Sequence, residues 1–430
     1  MIISSTNSLI PQEPGIKDPF LAKLMYAERR MGIGTQSYSS RAGYTEVPEE
    51  YRPQSQTPYF PITAIEVPKE LATITLANPS RDLFERYVQD HTVSFCVHPV
   101  ALAKQKKHIV ELLKKHPLWT AAAVPSASSR TVCVLDSTTT THALKCHLPV
   151  QISSLKRGLF QRTIQHSVTI SQILGQTDIA HLPETIGISV QEEDGSPGWG
   201  FIVRELTPRP SLPGKRTLIP CFSLYGKDMN HPSEPPLIVK LIQMGNKDPK
   251  KYVLEHVMFP IIDDFAKALN TQGVLLEAHG QNTLIEFDER MESTRIIHRD
   301  LDNYVDGKTR TARGLSFEGI SKYHIFEEPT ETEPFGSVPS LIYDGSIGSC
   351  HFDFLADILE EYFGIPSLEL QKECQARFQE KIPDYRRIFS DTLYTYGNPN
   401  PYPLVPRINQ GPIWRPLCVT ASTKDDPDSL

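Results

Sequence analysis

The chain has 430 residues, too many for one compact core, and this length predicts two or three packed subdomains. Apolar residues make up 39% and charged residues 22%, a balance typical of a globular rather than a disordered protein. The formal net charge of −7 argues against a general nucleic-acid binder. One short basic run, Lys104-Gln105-Lys106-Lys107, is interpreted as a solvated helix face.

The N-terminus and the cysteines bear on the compartment. Residues 1–7 contain no basic stretch and no sustained apolar stretch, so the sequence predicts neither a signal peptide nor a membrane span. Seven cysteines are scattered without a Cys-x-x-Cys pair, a pattern typical of reduced thiols. We therefore expect a cytoplasmic protein with no membrane partner.

Periodicity and turn residues predict the elements in chain order. Helices are predicted at residues 19–29, 80–90, 101–115, 252–269, 352–363 and 368–381. Strands are predicted at residues 93–97, 131–135, 143–152, 200–204, 217–223, 274–277 and 283–287. Pro260 should kink or split the helix at 252–269. Strands in the middle of the chain with helices before and after favour an α+β enzyme with a central sheet.

A first polar cluster, Ser126-Ala127-Ser128-Ser129-Arg130-Thr131, lies between a predicted helix and a predicted strand. Small hydroxyl residues in a tight turn offer O–H and backbone N–H donors, and arginine offers a planar fork for phosphate oxygens. Lys145 and Arg157 follow at the start of the next strand segment and just past its end. If these groups converge they form a polyanion pocket. The alternative is a serine-rich surface loop followed by an unrelated basic pair, and composition by itself favours that alternative.

A second polar cluster is Glu277-Ala278-His279-Gly280-Gln281-Asn282, with Arg299-Asp300-Leu301-Asp302 further on. In an extended stretch Glu277, His279 and Gln281 would point the same way. Burying such groups is costly unless a ligand or a network satisfies them. Carboxylate and amide oxygens beside a phosphate pocket are the hard ligands that hold Mg²⁺. A polar hairpin end with a satisfied core histidine remains the alternative.

The stretch Ile297-His298-Arg299-Asp300-Leu301 imitates the catalytic loop of protein kinases. That loop requires an asparagine five residues after the aspartate, and this position holds Val305. No Asp-Phe-Gly follows at a suitable distance, and Gly32-Ile33-Gly34 imitates a glycine-rich loop only weakly. These departures exclude the kinase class. A P-loop and a dinucleotide-binding fingerprint are also absent from the sequence.

Taken together, the motifs resemble the NRPS-independent siderophore (NIS) synthetases, the aerobactin-synthetase-like family. The resemblance is an ordered set: Val97-His98-Pro99, Ser128-Ser129-Arg130-Thr131, Lys145, Arg157, Phe201-Ile202-Val203-Arg204-Glu205, Leu276-Glu277-Ala278-His279-Gly280-Gln281-Asn282 and Arg299-Asp300. It covers residues 90–310 well and the later helical part loosely. The Glu-Ala-His-Gly-Gln-Asn string is its most specific part.

The resemblance implies an α+β fold likened to a cupped hand, with a central, mainly antiparallel sheet between a helical N-terminal part and a helical C-terminal palm. The implied domains are a shortened N-terminal segment (1–90), an ATP-binding sheet (91–240) and a mostly helical palm (241–430). ATP and Mg²⁺ would be the cofactors. A citrate-like polycarboxylic acid and an amine or alcohol would be the substrates, and a homodimer is plausible.

Roles can be carried over residue by residue from the resemblance. Ser128, Ser129, Arg130 and Thr131 would hold the ATP phosphates, with Lys145 beside them. Arg157 and His279 would face the reacting carboxylate and the α-phosphate, and Arg130 joins them as a catalytic candidate. Glu277 and Asp300 would bind the metal, Gln281 and Asn282 the nucleotide, and Asp302 is a weaker candidate.

The chain departs from the family in an earlier motif, Gly-His-Pro-x-His-Pro followed by Lys-x-Arg-x-Gly, whose histidine helps bind the acid and the nucleotide. The matching stretch here is Glu28-Arg29-Arg30-Met31-Gly32-Ile33, in which Arg30 and Gly32 fit but the histidines and the lysine are missing. A truncated chain, an altered acid site or a degenerate binding protein would each explain this. The charged residues kept in the later motifs favour an active acyl-adenylating ligase over a nucleotide-binding or interaction protein.

Overall fold

A computed structural model of the chain describes residues 9–34, 44–104, 117–153, 155–191, 198–327, 338–396, 404–406 and 413–417. The strands are β1 (Phe60–Pro68), β2 (Ala72–Leu76), β3 (Thr92–Val97), β4 (Pro117–Pro125), β5 (Thr131–Leu135), β6 (His142–Cys146), β7 (Leu148–Ile152), β8 (Leu155–Arg157), β9 (Glu184–Val190), β10 (Trp199–Glu205), β11 (Thr217–Pro220), β12 (Val274–Leu275), β13 (Thr283–Phe287), β14 (Ser293–His298), β15 (Tyr304–Asp306), β16 (Ile325–Phe326), β17 (Tyr394–Tyr396) and β18 (Leu404–Pro406).

The α-helices flank these strands. They are α1 (Pro19–Arg30), α2 (Arg81–Tyr87), α3 (Pro99–Lys104), α4 (Gln161–Leu174), α5 (Phe222–Tyr225), α6 (Leu237–Met244), α7 (Pro249–Val253), α8 (Phe259–Gln272), α9 (Gly307–Ala312), α10 (Val338–Ile342), α11 (Asp353–Phe363), α12 (Ser367–Lys381) and α13 (Tyr385–Ile388). Two π-helical stretches, Leu254–Met258 and Tyr343–Phe352, lead directly into α8 and α11.

The central feature is an eight-stranded sheet in the order β2-β9-β10-β6-β5-β4-β1-β3. Every neighbouring pair in it is antiparallel. Side chains alternate between the faces of a strand, so one face of β5, β6 and β10 carries apolar residues that pack into one core. These residues are Val132, Val134, Leu144, Phe201 and Val203. The opposite face carries the polar residues Thr131, Lys145 and Arg204 beside apolar ones.

A second and larger core joins the later helices to β11–β15. The helix predicted at 252–269 runs in the structure through α7, a π-helical stretch and α8. Pro260 has no N–H for the carbonyl one turn earlier, and the π-helical stretch lies where that bond is lost. The sheet with helices before and after it confirms the predicted α+β class.

Three strand predictions need correction. The strand predicted at 143–152 is two strands, because β6 ends at Cys146 and β7 pairs with β8 in another sheet. The strand predicted at 217–223 ends at Pro220, and α5 follows. The strand predicted at 274–277 is only Val274–Leu275. Of the helix predicted at 101–115, residues 105–115 lie outside the described part.

The predicted domain boundaries stay predictions. Strands β1 and β2 come from the segment predicted as 1–90, and they lie in the same sheet as strands of the segment predicted as 91–240. Within the described part of the chain, no helix is long and apolar enough to cross a membrane. Six cysteines fall in that part, and all six are buried free thiols.

Buried neutral histidines make the fold sensitive to acid. His142 Nδ1–H donates to the Thr140 carbonyl at 2.8 Å, which leaves Nε2 to accept from the Tyr87 hydroxyl at 2.7 Å. Burial lowers the pKa of His142 to about 4 and that of His181 to about 4. A histidine in the unfolded chain has a pKa near 6.5. Between about pH 4 and pH 6.5 the unfolded chain therefore binds more protons than the folded chain.

We therefore predict that the free energy of unfolding falls as the pH drops from about 6.5 towards 4. In urea titrations, His142→Gln should remove about 1–2 kcal/mol of the loss seen at pH 5. His91→Gln, at an exposed position, is the control and should leave the pH dependence unchanged. Equal pH dependence in the wild type and His142→Gln would contradict the assignment.

Candidate active site

The polar face of the central sheet places three predicted or neighbouring site residues together. Thr131 on β5 pairs with Lys145 on β6, and Arg204 on β10 pairs with Ala143, two residues from Lys145. Directly paired residues and residues two apart share a face, so Thr131, Lys145 and Arg204 project on the same side. All three are buried. Two cations, Lys145 and Arg204, are thus held side by side on one face of the sheet.

Asp300 lies over this face. Its carboxylate forms an ion pair with Lys145 and lies 3.6 Å from Arg204 Nη2, and Arg204 Nε donates to Glu184 at 3.2 Å. Burial by itself would raise the pKa of Asp300, but the charges of Lys145, Arg204 and Arg130 hold it well below its usual range. Asp300 has φ +65°, a left-handed conformation that is uncommon outside glycine. Such backbone strain persists where surrounding contacts enforce it.

The serine turn, residues 126–131, is closed by its own hydrogen bonds. Ser126 N donates to the Thr131 carbonyl at 2.8 Å, and Thr131 N donates to Ser128 Oγ at 3.1 Å. Ser129 adopts φ +61° within the turn. Arg130 is half-buried, and its charge contributes to the lowered pKa of Asp300. The turn therefore presents Arg130 towards the same carboxylate that Lys145 contacts.

A buried ion pair joins the serine turn to the later motif. Glu28 of α1 is completely buried, accepts from Ala127 N at 3.0 Å and pairs with Arg299. Arg299 Nε also donates to the Gln281 carbonyl at 2.8 Å, and Arg299 N donates to the Asn282 carbonyl at 2.9 Å. One carboxylate and one guanidinium therefore connect α1, the serine turn and residues 281–282.

The motif turn, residues 277–282, is not extended. His279 N donates to the Glu277 carbonyl at 3.0 Å, and Asn282 N donates to the His279 carbonyl at 2.9 Å. The strand expected to reach Glu277 therefore ends before it, at Leu275, because backbone bonds within the turn replace strand pairing. β12 and β13, on either side of it, belong to different sheets.

The His279 ring is fixed by this turn. Its Nδ1 accepts from Gln281 N at 3.2 Å and from Asn282 N at 3.3 Å. Acceptance at Nδ1 assigns the neutral ring proton to Nε2, which is then a donor. Burial lowers the pKa of His279 to about 3, against the opposing charge of Asp300. A neutral imidazole N–H donor suits the stabilisation of a developing negative charge.

Glu277 lies among like charges. Burial, followed by the charges of Asp302 and Asp300, raises the pKa of Glu277 to about 8, although Lys145 and Arg157 act in the opposite direction. A divalent cation would relieve this repulsion, and carboxylate oxygens are the ligands that Mg²⁺ prefers. The donor set therefore fits a magnesium ion. The charge of Arg157 also helps lower the pKa of His279, so Arg157 acts on the same turn.

Two glycines allow close approach around the motif turn. A Cβ at Gly280 would lie 2.0 Å from the Tyr225 hydroxyl, and a Cβ at Gly34 would lie 2.9 Å from that of Ala127. Residues 32–34, interpreted from sequence as a weak imitation of a glycine-rich loop, thus pass close to the serine turn. Position 280 therefore accommodates only glycine, because any larger residue would place a Cβ against the Tyr225 hydroxyl.

The structure brings most of the predicted site residues together, and their individual roles stay predictions. Contacts or electrostatic effects link Arg130, Lys145, Arg157, Glu277, His279, Asp300 and Asp302, while Ser128, Ser129 and Thr131 form the serine turn and Gln281 and Asn282 complete the motif turn. The sequence patterns assigned no role to Glu28, Arg204 or Arg299. Arg204 and Arg299 lie inside the motifs that carry the family resemblance, and this position could have indicated that they belong to the site.

The earlier stretch at residues 28–33 serves the fold. Arg29 donates to the Pro53 and Ser55 carbonyls at 2.8 Å each, and Arg30 pairs with Glu13 at 2.9 Å. Arg29 and Arg30 are both buried. The side chain of Arg30, which fits the family's motif, is therefore engaged by Glu13.

Comparisons with known proteins agree on one family. Residues 37–226 match the model of the IucA / IucC family, a range that includes the serine turn, Lys145 and Arg204 but not the motif turn. The fold is similar to that of petrobactin biosynthesis protein AsbB from Bacillus anthracis str. Sterne, with a TM-score of 0.63 and 15% identity over 86% of this chain and 70% of that chain. No curated protein sequence matches significantly.

Aerobactin synthetases from a hypervirulent pathotype of Klebsiella pneumoniae share the fold as well. For IucC the TM-score is 0.61 at 15% identity, over 91% of this chain and 76% of that chain. For the ATP-bound form of IucA it is 0.58 at 15% identity, over 84% and 70%. The family match over residues 37–226 and the shared fold support membership of the NRPS-independent siderophore synthetase family.

The first prediction from this geometry concerns the buried ion pair. Glu28→Gln leaves the Arg299 charge buried without its partner, and losses of about 3–5 kcal/mol are typical of such changes. We expect a loss of about 3 kcal/mol in the free energy of unfolding, measured in urea. Asp263→Asn removes a half-exposed pair with Arg377 and should cost below about 1 kcal/mol. Equal losses of unfolding free energy in Glu28→Gln and Asp263→Asn would contradict a special role for the buried Glu28–Arg299 pair.

The second prediction concerns Gly280. Gly280→Ala places a Cβ against the Tyr225 hydroxyl, and overpacking of this kind costs about 1–3 kcal/mol. Gly280→Ala combined with Tyr225→Phe should recover part of the loss, since the hydroxyl is removed and the ring remains. Thermal unfolding of both variants and of Tyr225→Phe alone is the measurement. No recovery in the double variant would show that the clash lies elsewhere.

Proposed function

We propose that this protein is an ATP-dependent ligase that adenylates a citrate-like polycarboxylic acid and condenses it with an amine or alcohol, in siderophore or related biosynthesis. The observation that carries the proposal is the convergence of the serine turn, Lys145 and the motif turn around Asp300. The family's relatives include synthetases, one of them bound to ATP. We place the reaction in the cytoplasm, with the small molecules as partners.

In this proposal the phosphates of ATP lie against the cationic side of the site. Arg130 offers a planar fork for phosphate oxygens, and the hydroxyls of Ser128, Ser129 and Thr131 add donors. Lys145 brings a second charge to the same face. Gln281 and Asn282 contact the rest of the nucleotide from the motif turn. A homodimer is part of the proposal by resemblance alone.

The acid side of the site is proposed to lie by His279 and Arg157. Arg157 attracts the reacting carboxylate, and the His279 Nε2–H donates to the oxygen on which charge develops. Glu277 and Asp300 would hold Mg²⁺, which would supply Lewis-acid stabilisation of negative charge. The fold already holds Arg157 and His279 in place, so in this proposal little reorganisation accompanies the reaction.

A nucleotide-binding protein without catalysis is the second candidate. It is favoured by the engagement of Arg30 with Glu13, in the stretch where family members carry a histidine-containing motif. Such a protein would bind ATP without acid-dependent release of pyrophosphate. The two candidates therefore differ in one measurable quantity.

We predict acid-dependent pyrophosphate release from Mg-ATP, tested with citrate, other tricarboxylates and dicarboxylates, and with hydroxylamine as the nucleophile. Arg130→Ala should lower turnover by about two to three decades, since one preorganised donor at such a site contributes about 2.7–4 kcal/mol. His279→Ala should also abolish most of the release. Arg81→Ala is the control, because its side chain is 91% exposed and pairs only with Glu85 at the surface among the described residues.

The contrary outcomes are distinct. ATP binding without pyrophosphate release for any acid would support the nucleotide-binding candidate. Release that persists unchanged in Arg130→Ala would contradict the assigned site while leaving the activity in place.

A further inference from the structure

A cluster of possible metal ligands lies beside the candidate active site. His166 of α4, Asp302 and His324 offer ligand atoms that all lie within 4.8 Å of one another. His166 is completely buried, and the side chains of Asp302 and His324 are 32% and 16% exposed. The three residues come from separate parts of the chain, so the fold and not a local motif assembles them.

The cluster contains polar atoms that the described residues do not satisfy. Asn303 Oδ1 and His324 Nδ1 are buried and have no hydrogen-bond partner within the described part of the chain. Buried polar groups in native proteins are usually paired, because an unsatisfied one loses its hydrogen bonds to water without replacement. The unsatisfied His324 Nδ1 belongs to the cluster and Asn303 follows Asp302 in sequence, so both atoms point to a ligand that the amino acids alone do not supply.

The geometry around His166 is typical of a metal-binding imidazole. Its Nε2 lies 2.8 Å from the Asn303 carbonyl, to which it donates, so the lone pair is on Nδ1. A metal-bound histidine commonly donates its second N–H to a backbone carbonyl in this way. The competing contact at Nδ1 is a long one, from Ser321 N at 3.3 Å.

The Asp302 and His324 side chains have the spacing of adjacent ligands. Asp302 Oδ1 lies 3.1 Å from His324 Nε2. Two ligands bound at about 2.0–2.2 Å in a tetrahedral shell lie about 3.3 Å apart. The rings of His166 and His324 are stacked with centroids 4.2 Å apart, which brings both imidazoles to the same place.

We propose that His166, Asp302 and His324 bind one divalent transition-metal ion of the Zn²⁺ class, with a fourth position open to water. Two imidazoles and one carboxylate suit Zn²⁺ and its first-row neighbours, whereas Mg²⁺ prefers oxygen ligands. The ion is thus separate from the magnesium assigned to Glu277 and Asp300. It fixes Asp302, two residues after Asp300, to α4 and to the turn at residues 322–324.

The test uses the full chain, stripped with a chelator and titrated with Co²⁺ as a spectroscopic probe and with Zn²⁺ as the competitor. One equivalent of Co²⁺ should bind with visible d–d bands and be displaced by Zn²⁺, but not by millimolar Mg²⁺. Asp302→Asn and His324→Gln should each weaken Co²⁺ binding by about 100-fold or more, since loss of a mere outer-shell partner costs about 10–100-fold.

Two matched variants separate this site from others. His231→Gln removes a histidine that lies 3.2 Å from a different carboxylate, Asp228, and should leave Co²⁺ binding unchanged. Glu277→Gln should also leave it unchanged. Should Asp302→Asn not fold, His324→Gln on its short turn still gives the result.

Three results would overturn the proposal. They are no stoichiometric Co²⁺ binding by the wild type, unchanged binding in both Asp302→Asn and His324→Gln, and loss of binding in Glu277→Gln instead. None of these readouts depends on ligase activity, so failure here is distinguishable from failure of the proposed function.

Discussion

The candidate site depends on one buried ion pair between residues 271 positions apart, Glu28 and Arg299. Both side chains are removed from water, and the desolvation of two charges is repaid only when further hydrogen bonds complete the network. Here Ala127 N and the Gln281 carbonyl supply those bonds. The main effect of the pair is therefore to position the serine turn relative to the motif turn, and its net contribution to stability is smaller.

The candidate site contains both positively and negatively charged side chains. Lys145 and Arg204 face Asp300 from the sheet, while Glu277 lies near Asp300 and Asp302 on the other side. A ligand that brings both phosphates and a divalent cation matches this arrangement, because the phosphates meet Lys145 and Arg130 while the cation meets the carboxylates. A ligand of one sign alone would leave half of the site unbalanced. The electrostatics therefore favour a metal–nucleotide complex over a simple anion.

Local pattern was enough to predict some elements to the residue and insufficient for others. β5 and β13 match their predicted bounds, because short apolar and β-branched runs between turn residues determine a strand locally. The strand predicted at residues 274–277 ends at Leu275, because backbone bonds around His279, which composition does not reveal, take the place of strand pairing. Glu28 was missed since its partner is remote in sequence. His166 and His324 were missed for the same reason: each is one histidine in an unremarkable segment, and only the fold brings them to Asp302.

The stretch at residues 28–33 shows how the nucleotide and acid functions of the site can be separated. Arg29 and Arg30 hold Glu13 and the carbonyls of residues 53–58, so this segment is a structural clamp that also carries Glu28 to the serine turn. The clamp supports the nucleotide side of the site whether or not it touches an acid. Recognition of the acid in the proposed reaction must then use other cations. Arg157, whose charge acts on both Glu277 and His279, is the side chain best placed to meet a carboxylate there.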